Sequence, residues 1–289
     1  LFETATVYSA TLNNRPNYRI PALATSPNGD LLLFTEKRND GIGDIGNHDL
    51  VLVRSTDLGH TWGPESVIFD DGDRTTTDAT VCIDRERSRI FLFFLRDKQS
   101  FAYFSSDDDG RTWRGPVSIH SAVTRPEWEE DRRKIPTTPD HYFQHLYGVG
   151  PGAGAIQLTH GPKKGRLLVP ARHRENLSDG KTGSFSHVFF SDDHGLTWLL
   201  GPTVVPDGNE CRLEELSDGT VMMNMRNTTP ADQPDNSRRL VALSHDGGDT
   251  WPTVYRDDAL VSTPVHAALR RYTGPDCASD RLLLFANPA

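Results

Sequence analysis

The chain has 289 residues, with 31 Lys plus Arg against 40 Asp plus Glu, so its formal net charge is −9. This acidic balance argues against nucleic acid as a partner, and 36% hydrophobic residues are enough for a folded core rather than a disordered chain. No run approaches the ~18 apolar residues of a membrane helix, and the three cysteines are too few for a disulfide framework or a zinc knuckle.

The first residues lack the basic flank and the apolar run of a signal peptide. The chain is therefore either cytosolic or a form from which a signal has been removed. These features leave the compartment open, with a secreted or periplasmic location slightly favoured.

Short apolar or alternating runs recur along the chain, at Leu50–Val53, Arg89–Phe94, Arg166–Pro170, Val221–Asn224 and Leu282–Phe285. Clusters of Asp, Gly, Asn and Pro separate them, which is typical of strands joined by turns. No segment keeps a helical apolar stripe over three turns. The sequence therefore predicts an all-β protein.

An eight-residue pattern, Ser-x-Asp-x-Gly-x-Thr-Trp, occurs four times, beginning at Ser55, Ser106, Ser191 and Ser244. The intervals of 51, 85 and 53 residues indicate a repeating unit with one enlarged copy. Units of this length with several short strands fit the four-stranded blades of a β-propeller. Within each box, Asp is expected to bind its own turn, Gly to supply positive φ, and Trp to pack. We interpret the boxes as structural and expect the chemistry on loops at the mouth of the propeller.

Several segments outside the boxes resemble a known family. They are Arg19-Ile20-Pro21, the acidic loop that follows Glu36-Lys37-Arg38, the Glu210 and Arg226 pair, and Gly150–Leu158. With the boxes, they are similar to the sialidases of the bacterial and animal type over essentially the whole chain. The resemblance implies a single domain over residues 1–289, a six-bladed β-propeller that removes terminal sialic acid from sialylated glycans and glycoconjugates, with no cofactor or metal.

The resemblance implies substrate-binding roles for four residues. Arg19 and Arg226 match two members of an arginine triad that grips the substrate carboxylate, and Arg38 matches the arginine beside the acid. Asp78 matches the acidic residue that lines the pocket near the N-acyl group of the sugar. A guanidinium suits a sugar carboxylate because it is planar, bidentate and always charged.

The resemblance implies catalytic roles for two carboxylates. Asp44 matches the general acid/base, which protonates the leaving oxygen and later activates water. Glu210 matches the carboxylate that partners a tyrosine nucleophile. Asp40 and Asp49 share the loop of Asp44 and remain alternatives for the acid.

Each of these residues also has a structural interpretation. Arg19 is compatible with an exposed arginine at the start of a strand, and Asp78 with the cap of a turn. Glu210 is compatible with a structural ion pair to Arg226 or Arg212. The alternative functions are a non-catalytic sialic-acid-binding propeller, similar to a lectin, and a structural propeller that binds protein ligands.

The sequence departs from the family pattern at its C-terminal end. In the family, the third arginine of the triad and the tyrosine nucleophile follow the strand that resembles Leu282–Phe285. Only 38 residues follow the last box, which is too few for the remaining blades. The expectation is that the C-terminal blade is absent from this chain and that another segment completes the propeller.

Three further motifs have other interpretations. The glycine-rich run 148–154 precedes a strand-like segment and lacks Gly-Lys-Ser/Thr, which argues against nucleotide binding. His141 and His145 lack the intervening Glu of a metalloprotease, which argues against zinc. Trp128 lies in a charged stretch, 127–134, whose default interpretation is a solvated loop, and a sharper hypothesis is that Trp128 walls the sugar pocket.

Overall fold

The computed structural model describes residues 4–10, 16–128, 147–152, 154–177, 182–229, 237–261, 263–272 and 282–287. Its strands, numbered in chain order, are β1 (Asn17–Thr25), β2 (Leu31–Arg38), β3 (His48–Ser55), β4 (Ser66–Phe69), β5 (Thr76–Asp84), β6 (Arg89–Arg96), β7 (Ser100–Ser106), β8 (Arg114–Ser118), β9 (Tyr147–Val149), β10 (Ile156–Gln157), β11 (Leu167–Asn176), β12 (Thr182–Ser191), β13 (Leu199–Pro206), β14 (Gly208–Glu215), β15 (Val221–Asn227), β16 (Arg238–Ser244), β17 (Thr253–Val261), β18 (Ala268–Arg271) and β19 (Leu283–Ala286). A short 3₁₀ helix spans His120–Ala122.

The strands form four blades and one further pair. Blade 1 is β1–β4, blade 2 is β5–β8, blade 3 is β9–β13 and blade 4 is β14–β17, while β18 pairs with β19. All the pairs within these sheets are antiparallel, and β9 and β10 both pair with β11. The predicted all-β propeller is confirmed, and six blades remain a prediction. Within the described part of the chain, no helix is long and apolar enough to cross a membrane.

The hydrophobic core lies between neighbouring blades rather than within one blade. Phe34 of blade 1 and Phe94 of blade 2 belong to the first cluster, and Phe93 of blade 2 and Phe189 of blade 3 belong to the second. The third cluster joins blades 3 and 4. A single sheet buries its two faces only against its neighbours, so each blade depends on the next for its stability.

The boxes lie between the third and fourth strands of the four blades and form closed hydrogen-bonded turns. In the first box, Ser55 Oγ donates to Asp57 Oδ1 and accepts from Gly59 N, each at 2.8 Å. Asp57 also accepts from the backbone N of Thr61 at 2.8 Å and from its hydroxyl at 2.6 Å. The same contacts recur in the other three boxes. The Asp side chains are thus fully used by the turns, as the structural interpretation predicted.

Each later box packs onto the second strand of the preceding blade. In blade 3, a Cβ on Gly195 would overlap the ring of Phe91 on β6, and the Trp198 ring lies 5.4 Å from that ring. The box glycines of blades 2 and 4 lie in the same way over Leu32 of β2 and Leu168 of β11. The boxes therefore connect blades.

The boxes and the predicted site lie at opposite edges of the sheets. In an antiparallel sheet, the end of the second strand and the start of the third lie at one edge, and the end of the third lies at the other. Arg38 ends β2, whereas the first box follows the end of β3 at Ser55. The site edge therefore lies away from the boxes.

Two box glycines separate the backbone role from the packing role. Gly59 and Gly195 both have positive φ, of 93° and 81°, but a Cβ on Gly59 meets only Leu31 at 3.5 Å. We expect Gly59→Ala to lower the free energy of unfolding by ~1–2 kcal/mol through left-handed strain alone. Gly195→Ala should lose a further ~1–3 kcal/mol because it overpacks against Phe91. Urea unfolding of both variants measures the difference, and equal losses would contradict the packing role.

Candidate active site

The first strands of three blades bulge at the site edge. The register shifts between Arg19 and Ala22 on β1, between Thr77 and Thr80 on β5, and between Gly208 and Cys211 on β14. Ile20 and Asp78 have positive φ values of 55° and 57°. Bulges redirect side chains next to functional sites, and strained φ values persist where the surrounding structure imposes them. Arg19, Asp78 and Glu210 thus all lie at bulges.

Arg38 is the buried centre of the blade 1 part of the site, with 1% of its side chain exposed. Its Nε and Nη2 donate to Glu36 Oε2 at 2.9 and 2.6 Å. Its Nη1 donates to Asp44 Oδ1 at 2.7 Å and to the carbonyls of Ile42 and Gly43 at 2.9 and 2.7 Å. Arg38 therefore holds the acidic loop in place, beside the predicted acid.

Glu36 was missed as a site residue by sequence reasoning. It is fully buried, and its Oε1 accepts from Thr77 Oγ1 at 2.6 Å and from Asp78 N at 2.9 Å. Burial raises the pKa of Glu36, and the charge of Arg38 opposes this shift. The available signal was the i, i+2 spacing of Glu36 and Arg38, which puts both on one face of a strand. Glu36 connects the Arg38 centre to blade 2.

Asp44 faces both arginines of blade 1. Its Oδ1 lies 3.5 Å from Arg19 Nη1 and 2.7 Å from Arg38 Nη1. Burial acts to raise the pKa of Asp44, but the hydrogen bond from Arg38 and the charges of Lys98, Arg38 and Arg19 outweigh it, so the pKa lies below its ordinary value. These arginines therefore hold Asp44 as a carboxylate at neutral pH.

The two alternative aspartates brace the loop instead. Asp40 Oδ2 accepts from Asn47 N at 2.8 Å, and Asp49 Oδ2 accepts from Asn39 Nδ2 at 2.9 Å. Asp49 is 8% exposed, and burial raises its pKa. Among the contacts of the described residues, Asp44 is the member of the three that meets the arginines. This geometry favours Asp44 over its neighbours as the acid.

Blade 4 contributes the second predicted pair. Arg226 Nη1 donates to Glu210 Oε2 at 3.0 Å, with 35% and 17% of the two side chains exposed. Of the two ion pairs left open by the sequence, the pair with Arg226 forms between the described residues. Both side chains are exposed enough to contact a ligand. The same geometry also fits a purely structural ion pair, so the role of the pair stays a prediction.

Three buried arginines of blades 3 and 4 were not predicted as part of the site, and two of them, Arg174 and Arg239, face Arg226. Burial, with a smaller contribution from the charge of neighbouring arginines, lowers the pKa of Arg174, Arg212 and Arg239 to about 10 in each case. Arg239 Nε donates to Asn224 Oδ1 at 2.8 Å, and its Nη1 donates to the carbonyl of Val265 at 2.7 Å. The site edge is therefore positive although the chain is acidic.

Asp78 is buried beside an arginine of blade 3. Its Oδ2 lies 3.6 Å from Arg172 Nη2, and the two side chains are 7% and 8% exposed. The prediction that Asp78 lines a pocket stays a prediction. Arg172 was missed because its partner lies on another blade.

The hypothesis that Trp128 walls a pocket is wrong. Trp128 is 2% exposed, its ring stacks on His173 at 3.7 Å, and its Nε1 donates to Glu175 Oε1 at 2.7 Å. It packs in the core between blades 2 and 3. His141 and His145 lie outside the described residues.

Comparisons with known proteins agree with this architecture. The BNR repeat-like domain family matches residues 40–288. A sialidase of Micromonospora viridifaciens is 33% identical over 289 residues, which cover 95% of this chain and 42% of that protein. A sialidase of Paraclostridium sordellii is 27% identical over 299 residues, covering 95% of this chain and 65% of that protein.

Solved structures show the same fold. The Hadza microbial sialidase Hz136 superposes with a TM-score of 0.72 at 24% identity, over 93% of this chain and 52% of that chain. A leech intramolecular trans-sialidase complexed with 2,7-anhydro-Neu5Ac superposes with a TM-score of 0.70 at 16% identity, over 95% of this chain and 56% of that chain. The chain belongs to the BNR repeat-like domain family and is a member of the sialidase family. It spans about half the length of the relatives that it matches.

The contribution of the buried Glu36–Arg38 pair to stability can be compared with that of the Lys37–Glu65 surface pair, which uses the same strand. Glu36→Gln leaves a buried guanidinium without its main counter-charge and should lower the free energy of unfolding by ~3–5 kcal/mol. Lys37 pairs with Glu65 at 2.8 Å on the exposed face of β2. Lys37→Gln should therefore lose at most ~1 kcal/mol. Guanidinium unfolding compares the two, and a small loss for Glu36→Gln would show that Arg38 does not depend on it.

Proposed function

We propose that this chain carries most of the active site of an exo-α-sialidase that releases terminal sialic acid from glycoconjugates with retention of configuration. The observation that supports the proposal is the approach of Arg19 and Arg38 to the same oxygen of Asp44, at 3.5 and 2.7 Å. Two arginines share the partly exposed carboxylate of Asp44, so an incoming anion can replace Asp44 as the partner of one arginine while the other stays paired. The resemblance to sialidases also favours sialylated glycoconjugates as the substrates.

In the proposed site, Arg19 and Arg226 bind the carboxylate of the sugar. Arg19 is suited to this role because its side chain is 46% exposed and its contacts, at 3.4 and 3.5 Å, are long. Arg226 uses Nη1 for Glu210 and is 35% exposed. Arg38 is fully engaged by its neighbours, so we assign it to holding Asp44 rather than to the ligand.

Asp44 is proposed as the general acid and base. The arginines beside it lower the pKa of Asp44 and keep it ionised, which is the wrong form for protonating a leaving group. A bound sugar carboxylate neutralises the charge of Arg19, and the sugar ring displaces water from the partly exposed Asp44. Both effects raise the pKa of a carboxyl group. Substrate binding therefore prepares the acid for the first step, and the same carboxylate activates water in the second step.

Glu210 is proposed to accept the proton of a tyrosine that attacks the anomeric carbon. A neutral phenol suits this substrate because the sugar carboxylate would repel an Asp or Glu nucleophile, and sialidases are known for a tyrosine nucleophile. We propose that this tyrosine and the third arginine come from a polypeptide segment that completes the propeller.

Exposed apolar positions on the last strands support this completion. In blades 1 and 3, the box of the next blade covers Leu32 and Leu168, which are 0% exposed. By register, Met222 on β15 and Leu284 on β19 match Leu32, and Leu284 is 52% exposed. An uncovered leucine at a box-binding position favours further blades that bring further boxes.

The acid assignment is tested by leaving-group chemistry in the full-length protein. We expect Asp44→Asn to lower the cleavage rate of natural sialosides by ~10²–10⁴-fold, because an alcohol leaving group needs a proton. An aryl sialoside with an acidic phenol should show a much smaller defect in its first chemical step. Pre-steady-state release of the phenol measures that step separately from the later hydrolysis.

The loop neighbours provide the controls for this test. Asp40→Asn and Asp49→Asn should show no difference between the two classes of substrate. Equal first-step losses in Asp44→Asn would mean that the acid lies elsewhere. Sialic acid binding without any cleavage by the wild-type protein would favour the non-catalytic binding propeller.

The carboxylate clamp is tested by Arg19→Lys. This change keeps the charge but removes the planar fork, so sialic acid binding should weaken by ~1.5–3 kcal/mol. Arg74→Lys is a matched control, because Arg74 is 61% exposed and pairs with Asp97 on the surface at 3.4 Å. Calorimetric titration with free sialic acid measures both variants, and unchanged affinity in Arg19→Lys would make Arg19 structural.

A further inference from the structure

A buried lysine of blade 2 lies at the site edge and has no role in the proposed mechanism so far. Lys98 belongs to the turn between β6, which ends at Arg96, and β7, which begins at Ser100. These strands are the second and third of blade 2, so their turn lies at the same edge as the end of β2 in blade 1. Lys98 is 6% exposed. A lysine at this level of burial usually has a counter-ion.

The turn holds Lys98 in a backbone conformation that glycine normally supplies. Gln99 N donates to Arg96 O at 3.0 Å and closes a tight turn, in which Asp97 and Lys98 have φ values of 53° and 52°. Two consecutive left-handed residues are typical of hairpin turns in which Gly is preferred at the second position. This conformation costs free energy in a lysine, and such strain persists where the surrounding structure imposes it. The turn alone therefore does not explain why this residue is a lysine.

The turn is joined to the loop of Asp44 through one threonine. Asp97 N donates to the carbonyl of Thr75 at 2.8 Å, and Thr75 N donates to Asp97 Oδ1 at 3.2 Å. Thr75 Oγ1 accepts from Gly46 N at 2.9 Å and donates to Gly46 O at 3.1 Å. Gly46 lies two residues after Asp44. The turn of Lys98 and the loop of the proposed acid are thus tied together across blades 1 and 2.

The ammonium group of Lys98 makes no hydrogen bond and no ion pair within the described part of the chain. The nearby carboxylates of Glu36 and Asp44 are paired with Arg38 instead, at 2.6 and 2.7 Å. The charge of Lys98 still acts on both carboxylates. It contributes to the lowered pKa of Asp44 and opposes the rise that burial causes in the pKa of Glu36. Lys98 is therefore an unpaired cation beside the proposed acid.

The other charged and titratable groups around Asp44 do not replace this cation. They are Arg19 on β1, Glu36 and Arg38 on β2, Asp40 in the loop, His48 on β3 and Asp78 on β5. Burial and the charges of Arg38 and Lys98 lower the pKa of His48 to about 4, so His48 adds no charge at neutral pH. Arg19 is the proposed partner of the sugar carboxylate. A bound sugar therefore neutralises Arg19 but leaves the charge of Lys98 in place.

We infer that Lys98 is a positioning residue for the general acid: as a fixed, unpaired charge beside Asp44, it sets, together with Arg38, the pH range in which this carboxyl group exchanges its proton. The inference rests on the proposed sialidase function, in which Asp44 gives a proton to the leaving oxygen and later accepts one from water. A cation that the substrate does not neutralise favours the carboxylate form, which the second step needs. Lys98 acts through Asp44 and takes no part in bond cleavage.

Titration of Asp44 in the full-length protein tests this role. Lys98→Met removes the charge, so the midpoint of the Asp44 titration should rise by about 0.5–1 pH unit, as expected for the loss of a unit charge several ångströms away. Lys98→Gly also removes the charge and suits the left-handed turn, so it should give the same rise. Carbon-13 NMR of the aspartate carboxyl groups measures the midpoint, and Asp44→Asn identifies the signal.

A surface lysine provides the matched control. Lys37→Met removes the same charge from the exposed face of β2, where Lys37 pairs with Glu65 at 2.8 Å. This variant should leave the Asp44 titration unchanged.

The pH profile of cleavage gives a second measurement. For a natural sialoside, the alkaline limb of kcat/KM should move to higher pH in both Lys98 variants by the same amount as the titration, because the first step needs the protonated acid. For an aryl sialoside with an acidic phenol, the first chemical step should show no such movement, because that oxygen departs without a proton.

An unchanged Asp44 midpoint in the Lys98 variants would overturn the inference, as would an equal rise in Lys37→Met. A rise in Lys98→Met without one in Lys98→Gly would also overturn it, because the shape of the side chain rather than its charge would be the cause. If Lys98→Met does not fold, Lys98→Gly is measured with the same criterion. If the wild-type protein cleaves no sialoside, the proposed function fails, and the NMR titration still decides whether Lys98 controls the charge of Asp44.

Discussion

The buried guanidinium of Arg38 is the interaction on which the site depends. A charge with 1% exposure is stable only if its counter-charges and hydrogen bonds are complete. Glu36 and Asp44 supply the charges, and the loop carbonyls take the remaining donor capacity. The second oxygen of Glu36 then binds Thr77 and the backbone of Asp78 on blade 2. A single buried cation thus sets the position of Asp44, the proposed acid, and through Glu36 that of Asp78.

The network of Arg38, Glu36 and Asp78 has a fixed geometry because the boxes hold the blades together at the opposite edge of the sheets. The boxes use their own polar groups internally, and the three later boxes present a glycine and a tryptophan to the preceding blade. Gly195 fits against Phe91 with no room for a Cβ, so the approach of blade 3 to blade 2 is set by contact. Since Arg172 and Asp78 lie on these two blades, their 3.6 Å separation depends on packing at the far edge of the sheets. Because the blades are held together at the box edge, the site edge can contain exposed side chains with few contacts, such as Arg19.

The sequence was informative where the relevant contacts are local. The hydrogen bonds of a box join residues at most four positions apart, so its residue types reveal them. The strands follow from short alternating runs. The six site residues were reached by motif, and Asp44 was singled out from Asp40 and Asp49 only by its family pattern. Contacts between blades left no such trace: Glu36 is 42 residues from Asp78, and nothing in the sequence pairs Arg172 with Gly148. Trp128 was expected near the surface because the residues next to it in the sequence are charged. In the structure its indole N–H donates to Glu175, and this hydrogen bond allows the ring to be buried.

The net charge of −9 and the positive site edge are compatible because they act over different distances. Charges on the surface are screened within about 10 Å at ordinary ionic strength, so the distant acidic residues have little effect at the site. Arginines held at low exposure are screened much less. Burial lowers the pKa of Arg174, Arg212 and Arg239 to about 10, which still leaves them protonated at neutral pH. Arg174 and Arg239 are both repelled by Arg226, so an anion bound at Arg226 would relieve this repulsion. Under the proposed function, the fold therefore supplies part of the electrostatic stabilisation of an acidic sugar before the sugar binds.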